Sequence, residues 1–326
     1  MNFRKVSIIV PAYNAEKTIE LCLKSLLNQS YQKNKYEILV VDDGSKDKTK
    51  NIIRKFNRVK LIEQNHRGPS VARNLGAKKS KNDLILFIDS DCIAPKYWIK
   101  NIIKPFKDKD VIAVSGAYKT KNKDKLIARF VGFEIEERHK KLGREIDFVS
   151  TFSAAYLRKI YLKVGGLDEK FTRASADDTS LSFKLDRLGK KMIFEPKAYV
   201  YHHHPDNLKK YLKRKFWMGY WRVFLYRDFK EKFMRHSYTP KTVYFRIALT
   251  GIALLAFLFS LFGFIPFSIF SFLILFLILT TIPFSAKVFI KDISTGLLSP
   301  IIIILRDFVS GLGIVFGLVN LILKRK

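Results

Sequence analysis

The longest uncharged stretch of the chain restricts its possible folds more than any other feature. Residues 247–286, 40 positions in all, contain no Asp, Glu, Lys, Arg or His. A helix that spans a membrane needs about 20 mainly apolar residues, so the stretch is long enough for two, and Gly263 and Pro266 mark the turn between them. Two buried core helices would still carry polar residues on one face. The sequence therefore predicts a membrane-embedded C-terminal region.

A third apolar segment, residues 297–323, is interrupted by Arg306 and Asp307. Neighbouring residues on a helix do not face each other, so we do not expect these two to form a pair. Charge is costly deep in a bilayer, and we therefore place both residues near the membrane interface. Gly313 and Gly317 have the small-xxx-small spacing that allows helices to approach closely.

The topology of the third segment stays open. If all three segments span the membrane, Lys324, Arg325 and Lys326 lie on the side opposite the N-terminal domain, against the positive-inside tendency. A re-entrant or interfacial third segment removes this conflict.

Composition limits the compartment and the partners. Two cysteines, Cys22 and Cys92, give no disulfide framework, which is typical of a reducing compartment. The apolar run at residues 6–10 is too short for the core of a signal peptide, so we expect the chain to begin in the cytosol. The formal net charge of +31 is typical of proteins that bind nucleic acid, anionic membranes or phosphate-bearing ligands.

Residues 1 to about 200 alternate apolar, strand-like runs with helical patterns. Near-continuous apolar strands between helices predict an α/β domain with a parallel sheet covered on both faces. Ligands of such sheets bind at the carboxyl ends of the strands. Polar segments follow the predicted strands, and we expect them to face one crevice. They are residues 11–14, 42–45, 65–68, 72–74 and 89–91.

Two carboxylates follow the apolar run at residues 84–88, namely Asp89 and Asp91. Like charges this close repel each other, so the pair needs a cation. Hard oxygen ligands suit Mg²⁺ or Mn²⁺ better than zinc. Arg73 offers a planar fork of donors to a phosphate group. The carboxylate pair therefore predicts a bound cation at this strand end.

Taken together, these motifs resemble family 2 glycosyltransferases over roughly the first 230 residues. The motifs are VSIIVPAYN ending at Asn14, VVDDGS ending at Ser45, Ala72-Arg73-Asn74 and Asp89-Ser90-Asp91. The resemblance implies a GT-A fold (Rossmann-like, binding nucleotide-diphospho-sugars), a UDP- or GDP-sugar donor, a divalent metal and inversion at the anomeric carbon.

The same resemblance assigns residues to the donor site. Asp91 is the more direct metal ligand, with Asp89 reaching the ion directly or through water. Asp42 or Asp43 binds the base or the ribose. The other residues expected at the nucleotide-sugar site are Pro11, Ala12, Tyr13, Arg73 and Ser90.

The acceptor half matches the family less closely. The family usually has Glu-Asp where this chain has Asp177-Asp178, and Ser180 stands where another acid is common. We assign Asp178 as the general base that deprotonates the acceptor hydroxyl. The alternative is that Asp177 or Asp178 caps a helix.

Three consecutive histidines follow at residues 202–204. By resemblance, His202 or His204 completes the metal site, although a structural histidine run is an equal alternative. Basic residues then alternate with aromatic ones over residues 207–232, which predicts an amphipathic helix at the membrane interface. The alternative is a basic solvated face.

The predicted organisation has three parts. A GT-A catalytic domain occupies residues 1–205 and a basic interfacial region residues 206–240. The transmembrane region, residues 241–326, has helices near 243–264, 266–285 and 300–323.

The leading hypothesis is a multi-pass membrane enzyme with its catalytic domain in the cytosol. It would transfer sugar to a polyprenyl phosphate or a lipid-linked saccharide, one residue at a time, because the Gln-x-x-Arg-Trp motif of processive synthases is missing from the sequence. One alternative is a non-lipid acceptor, either a surface polysaccharide or a protein glycan. Another is a basic nucleic-acid-binding membrane protein, but this leaves the uncharged stretch unexplained, so we expect no nucleic-acid partner.

Overall fold

The computed structural model describes residues 4–171, 175–237 and 239–323. Ala174, three residues before the Asp177-Asp178 pair, and the basic end at residues 324–326 lie outside these ranges. The chain divides into two compact units. The first comprises residues 1–121 and 135–203, and the second residues 122–134 and 204–326.

The first unit is built on a seven-stranded sheet with the order β3-β2-β1-β4-β8-β6-β9. Neighbouring strands are parallel except where β8 pairs with β4 and β6. The strands of this sheet are β1 (Val6–Ala12), β2 (Tyr36–Asp42), β3 (Val59–Glu63), β4 (Leu84–Ile88), β6 (Val111–Ser115), β8 (Ser153–Leu157) and β9 (Lys191–Phe194).

A smaller sheet has three short strands in the order β5-β10-β7. They are β5 (Cys92–Ile93), β7 (Tyr118–Thr120) and β10 (Val200–His202). This sheet places a segment from late in the chain directly against the residues that follow β4.

Helices connect the strands and continue beyond them. They are α1 (Ile19–Leu27), α2 (Thr49–Arg54), α3 (Pro69–Lys79), α4 (Trp98–Ile103), α5 (Leu126–His139), α6 (Arg158–Lys163), α7 (Asp177–Asp186), α8 (Leu208–Asp228), α9 (Lys241–Leu261), α10 (Phe267–Lys291) and α11 (Ile293–Leu323), with 3-10 turns at Lys104–Lys107 and Lys230–Lys232.

Both faces of the large sheet are covered, as near-continuous apolar strands require. Ile8 and Val10 point into one core layer with Leu23 of α1 and Trp98 of α4. Ile9, between them in sequence, points into the other layer, and Leu181 of α7 lies in that layer too. Because side chains alternate along a strand, one apolar run fills two cores. The predicted α/β GT-A class is confirmed.

Among the residues that the structure describes, three helices of the second unit are long and apolar enough to cross a membrane, namely α9, α10 and α11. Their apolar side chains are widely exposed, and Leu261 and Ile290 are 61% and 85% accessible. Apolar surface of this extent needs an apolar environment. The structure therefore agrees with membrane association of this unit.

Helix α8 of the same unit packs closely on α11 through glycines. A Cβ atom on Gly313 would lie 2.1 Å from the carbonyl oxygen of Phe216, and one on Gly317 would lie 2.7 Å from that of Tyr220. Gly219 makes the reciprocal contact, because its Cβ would lie 2.2 Å from the carbonyl oxygen of Ser310. The predicted small-xxx-small contact is confirmed.

Arg306 and Asp307 correct one expectation. The Arg306 guanidinium lies 2.6 Å from Asp307 Oδ1 and 2.7 Å from Glu134 Oε1, and Arg246 reaches Asp307 Oδ2 at 2.8 Å. The prediction that the two adjacent residues do not pair is wrong. The Arg306 guanidinium contacts the neighbouring carboxylate through both Nε and Nη2, and Glu134 of α5 and Arg246 of α9 complete the buried cluster.

Candidate active site

One cleft of about 310 Å³ lies at the carboxyl ends of β1, β2 and β4. It gathers most of the residues expected at the donor site. The lining residues are Pro11, Ala12, Tyr13, Asp43, His66, Pro69, Ala72, Arg73, Asp89, Ser90 and Asp91.

Asp43 lines the cleft, but its carboxylate is occupied by the loop after β3. Oδ1 accepts hydrogen bonds from Gln64 Nε2 at 2.6 Å and from the backbone N–H of Arg67 at 2.9 Å. Oδ2 accepts one from the N–H of Gly68 at 2.8 Å and lies 2.8 Å from Nδ1 of His66. Asp43 thus fixes the loop that leads into α3.

Asp42 is fully buried beneath the cleft and is not among its lining residues. Its Oδ2 accepts the N–H of Ser45 at 3.0 Å. Its Oδ1 has no hydrogen-bond partner among the described residues. A buried acceptor without a donor is unusual, so of the two aspartates Asp42 has the spare acceptor.

Two rings form a platform at the mouth of the cleft. The rings of Tyr13 and His66 are stacked, with centroids 4.0 Å apart and planes 20° apart. Tyr13 is 42% exposed. Stacked rings with an open face can receive a flat heterocycle such as a nucleobase.

Arg73 links the cleft to the beginning of α7. Its Nη2 donates to Asp89 Oδ1 at 2.5 Å, and Nη1 lies 3.9 Å from Asp177 Oδ2. Burial disfavours the guanidinium charge, but the two carboxylates outweigh it and raise the pKa of Arg73. Its Nε and Nη1 atoms have no hydrogen-bond partner among the described residues, so donors remain for an anion.

Asp91 and His202 form the best-placed metal-ligand pair. Asp91 Oδ2 lies 3.5 Å from His202 Nε2, and His202 is 6% exposed. A carboxylate and an imidazole can ligate Mn²⁺, so these donors fit a divalent cation. Asp89 is committed to Arg73 and lies at the same strand end. The residues present therefore fit the metal that the motif implies.

The three histidines have different positions. His202 belongs to β10 and packs against the Tyr118 ring, with centroids 4.7 Å apart. His203 is exposed. In the second unit, the backbone N–H of His204 donates to Asn122 Oδ1 at 3.0 Å. Of the three, the structure places His202 beside Asp91.

Asp177 and Asp178 open helix α7, whose N-cap residue is Ala176. Asp177 is buried, and its carboxylate accepts hydrogen bonds from Ser70 Oγ at 3.0 Å and the N–H of Ser175 at 3.1 Å. Asp178 is less buried, and its Oδ1 accepts the N–H of Thr179 at 2.8 Å. Neither aspartate occupies the cap position proposed as the alternative.

Asn74 organises the loop before α7, a function that its position in the sequence does not reveal. Its Oδ1 accepts hydrogen bonds from Tyr161 Oη at 2.6 Å and the N–H of Leu167 at 3.0 Å. Its Nδ2 donates to the carbonyl of Leu167 at 2.8 Å and to Glu169 Oε1 at 3.1 Å. The only sequence signal was its place in the Ala72-Arg73-Asn74 motif.

This geometry defines a class of protein. A doubly covered α/β sheet carries a carboxylate–imidazole pair, a buried arginine and a stacking platform beside one cleft, as in a nucleotide-sugar transferase of GT-A type. Residues 7–165 match the family described as Glycosyl transferase family 2.

Known proteins are similar to this chain over part of their length. The glycosyltransferase AglE of Haloferax volcanii is 39% identical over 116 residues, which is 34% of this chain and 38% of AglE. The poly(ribitol-phosphate) beta-N-acetylglucosaminyltransferase TarS of Staphylococcus aureus is 39% identical over 102 residues, which is 30% of this chain and 18% of TarS.

Solved structures show the same fold. The mannosyltransferase PcManGT of Pyrobaculum calidifontis, in complex with GDP-Man and Mn²⁺, superimposes with a TM-score of 0.57 at 22% identity, covering 70% of this chain and 64% of that one. Residues 1–349 of S. aureus TarS give 0.52 at 24% identity, covering 66% and 64%. This chain spans less than two thirds of the length of each of these proteins.

Proposed function

We propose that this chain is an inverting, metal-dependent glycosyltransferase that moves one sugar from a nucleotide-diphosphate sugar to a membrane lipid acceptor at the cytosolic face. The acceptor is a polyprenyl phosphate or a lipid-linked saccharide. One observation carries the proposal. Asp91 and His202 lie 3.5 Å apart beside a cleft that also holds Arg73, Asp89 and Tyr13.

The donor half follows from the cleft's side chains. Tyr13, stacked on His66, receives the base, and Asp42 or Asp43 binds the base or the ribose, with Asp43 lining the cleft and Asp42 buried beneath it. Arg73 lines the cleft, and its guanidinium contributes donors to the diphosphate. GDP-Man bound to PcManGT supports a nucleotide-sugar donor.

Asp91 and His202 hold the divalent cation, Mg²⁺ or Mn²⁺, with Asp89 nearby. When bound, this cation supplies charge stabilisation to the nucleoside diphosphate leaving group. Arg73 adds a fixed positive charge at the same strand end, and its ion pair with Asp89 keeps the guanidinium oriented.

Asp178 is the general base. Asp177 is already held by Ser70 and Ser175 and faces Arg73, which leaves Asp178 as the more accessible acid of the pair. With a saccharide acceptor, Asp178 takes the proton of the attacking hydroxyl while that oxygen attacks the anomeric carbon. A polyprenyl phosphate is already ionised at neutral pH and attacks through a phosphate oxygen without this proton transfer. Attack opposite the leaving diphosphate inverts the configuration at that carbon.

The lipid acceptor is supported by the three apolar helices that share the chain with this domain. The alternative is a non-lipid acceptor, and it has its own support because TarS is named for poly(ribitol-phosphate). The two alternatives differ in one measurable property, namely whether sugar transfer depends on added lipid.

The test uses the full chain purified in detergent. It is incubated with a panel of UDP- and GDP-sugars, with or without Mn²⁺, and with polyprenyl phosphate, a polyol-phosphate polymer or no acceptor. Release of nucleoside diphosphate identifies the donor, and its dependence on one acceptor identifies the acceptor class. No release with any donor would contradict the proposed activity.

Two variants assign the residues. Asp91→Asn and Asp178→Asn should each lower the turnover rate by at least about 100-fold, in line with the loss of a general acid–base group or a charge stabiliser. Asp110→Asn, which changes an exposed carboxylate paired with Lys190, is the matched control and should keep the parental rate. Parental turnover in Asp91→Asn would refute the metal assignment.

A further inference from the structure

Cys92 directly follows the acidic motif, and the functions assigned above do not use it. Its side chain is fully buried, and the residue forms half of the two-residue strand β5. In the antiparallel pairing of β5 with β10, Cys92 lies directly opposite His202. Side chains that oppose each other across two strands share one face of the sheet, with Cβ atoms about 5 Å apart. The register therefore brings the thiol to the imidazole.

The third donor of this cluster is Asp91. Single ligand atoms of Asp91, Cys92 and His202 all lie within 4.8 Å of one another. Cys92 Sγ is 3.8 Å from Asp91 Oδ1, and Asp91 Oδ2 is 3.5 Å from His202 Nε2. Metal bonds of about 2.0 Å to nitrogen or oxygen and about 2.3 Å to sulfur separate the ligand atoms of one ion by roughly 3 to 4.5 Å. The observed distances lie close to this range, so the three side chains are near enough to one another to hold one ion.

The donor set has a chemical consequence. A carboxylate and an imidazole accept many divalent ions, whereas a thiolate selects softer ones such as Zn²⁺, Cd²⁺ and Co²⁺ over Mg²⁺. A buried cysteine away from such partners behaves as a small apolar side chain. Cys22, the other cysteine, is equally buried, and its Sγ contacts the backbone oxygen of Asp89 at 3.6 Å. It is not part of the three-residue cluster.

We propose that Cys92 is a third protein ligand of the metal site, so that the site binds thiophilic divalent cations through Asp91, Cys92 and His202. This inference rests on the metal site of the proposed function and adds to it a ligand and an ion preference. On binding, a metal–sulfur bond replaces the S–H bond, and the proton passes to the buffer. A thiophilic ion held in this way competes with the Mg²⁺ or Mn²⁺ that supports transfer.

The experiment is a titration of the full chain in detergent with Co²⁺, followed by absorption spectroscopy. A cobalt–thiolate bond gives a near-ultraviolet charge-transfer band, and the visible d–d bands report cobalt bound by any ligands. We expect both signals in the parent protein. We expect Cys92→Ser to lose the charge-transfer band and keep visible bands, and Cys22→Ser to keep both. Asp91→Asn should weaken both.

The outcomes separate this inference from the metal site itself. Visible bands without a charge-transfer band in the parent would overturn the thiolate ligand and leave the metal site standing. Absence of any cobalt signal would overturn both. A charge-transfer band that survives in Cys92→Ser and disappears in Cys22→Ser would overturn the assignment to Cys92.

A second measurement covers the case in which Cys92→Ser is destabilised. Cd²⁺ and Mn²⁺ affinities are measured by calorimetry for the parent and for Cys92→Ala, with circular dichroism confirming the fold. Loss of the ligand should weaken Cd²⁺ binding by at least about tenfold, the loss that even outer-shell partners can cause, and should weaken Mn²⁺ binding less. Equal losses for both ions would contradict a selective thiolate.

Discussion

Arg73 Nη2 donates to Asp89 Oδ1 over 2.5 Å, and the arginine side chain is only 4% exposed. The pair ties α3 to the end of β4, and the same guanidinium lies 3.9 Å from the buried carboxylate of Asp177. One cation thus neutralises two carboxylates from distant parts of the chain. If it were removed, both carboxylates would remain with less compensation in a largely buried place.

Arg73→Met should therefore destabilise the protein by about 3 kcal/mol, because breaking a buried ion pair leaves an uncompensated charge. Thermal unfolding in detergent, followed by circular dichroism, measures the change. Arg67→Met is the matched control. Arg67 is 64% exposed and 3.4 Å from Glu169, and a surface pair of this kind contributes about 0–1 kcal/mol. Equal losses of stability in the two variants would show that the buried ion pair contributes no more to stability than the surface pair.

Two adjacent glycines in the loop before α7 allow a similar comparison. Both have a positive φ, +85° at Gly165 and +64° at Gly166. A Cβ atom on Gly166 would lie 2.5 Å from Asn74 Oδ1, whereas one on Gly165 would have nothing within 4 Å. Gly165→Ala should cost about 1 kcal/mol through backbone strain alone.

Gly166→Ala should lower the free energy of unfolding by about 1–3 kcal/mol more than Gly165→Ala, because the added Cβ also displaces Asn74 from its hydrogen-bond partners. Thermal unfolding of the two variants side by side gives the difference. If Gly165→Ala were the more damaging change, the contact between the loop and Asn74 would not be what requires glycine.

The parts of the fold that were predictable from sequence depend on local patterns. The run from Val6 to Val10 is apolar at every position except Ser7, which is sufficient to predict a strand buried on both faces. The uncharged stretch likewise predicts long apolar helices without knowledge of their packing. Asp89 and Asp91 could be placed at a ligand edge because the strand before them ends there.

The parts that could not be predicted depend on pairings between distant residues. The sequence motif around Asp43 predicts contact with a ligand. In the structure its carboxylate also binds the loop at residues 64–68, and this contact depends on the pairing of β2 with β3. Cys92 lies opposite His202 because β5 pairs with β10, although the two residues are more than a hundred positions apart in the sequence. Arg306 pairs with Glu134, which belongs to another helix. The spacing of residues along one helix cannot predict such a contact.

Close packing of α8 on α11 predicts different tolerances at two glycines of α11. A Cβ atom on Gly313 would lie 2.1 Å from a backbone oxygen of α8, whereas one on Gly311 would meet only Ile247 Cγ2 at 3.5 Å. Gly313→Ala should destabilise by about 1–3 kcal/mol, because backbone atoms cannot give way as a flexible side chain can. Gly311→Ala should be neutral or stabilising by up to about 1 kcal/mol, since alanine favours the helix.

Thermal unfolding of these two variants in detergent provides the comparison. A shift toward lower temperature that is confined to Gly313→Ala supports the close contact between the helices. The same shift in Gly311→Ala would mean that flexibility of α11, and not contact with α8, requires the glycines.

His139 gives the first unit a pH-dependent stability. Burial, with a smaller contribution from Arg138, lowers the pKa of His139 to about 4. The ring packs beside Phe194, with centroids 5.1 Å apart. In the unfolded chain the imidazole has a pKa of about 6.5. Between pH 6.5 and pH 4 the unfolded state therefore binds a proton that the folded state excludes, and stability falls as the pH decreases.

His139→Gln should remove this dependence, because glutamine has no proton to gain. At pH 7.5 the variant should be somewhat less stable than the parent, since it loses the ring contact with Phe194. As the pH falls from 6.5 to 4, the free energy of unfolding of the variant should rise relative to that of the parent by an amount on the order of 2 kcal/mol. Denaturant unfolding of both proteins at several pH values measures the difference between their free energies of unfolding. If this difference stays constant with pH, the imidazole is protonated equally in the folded and unfolded states.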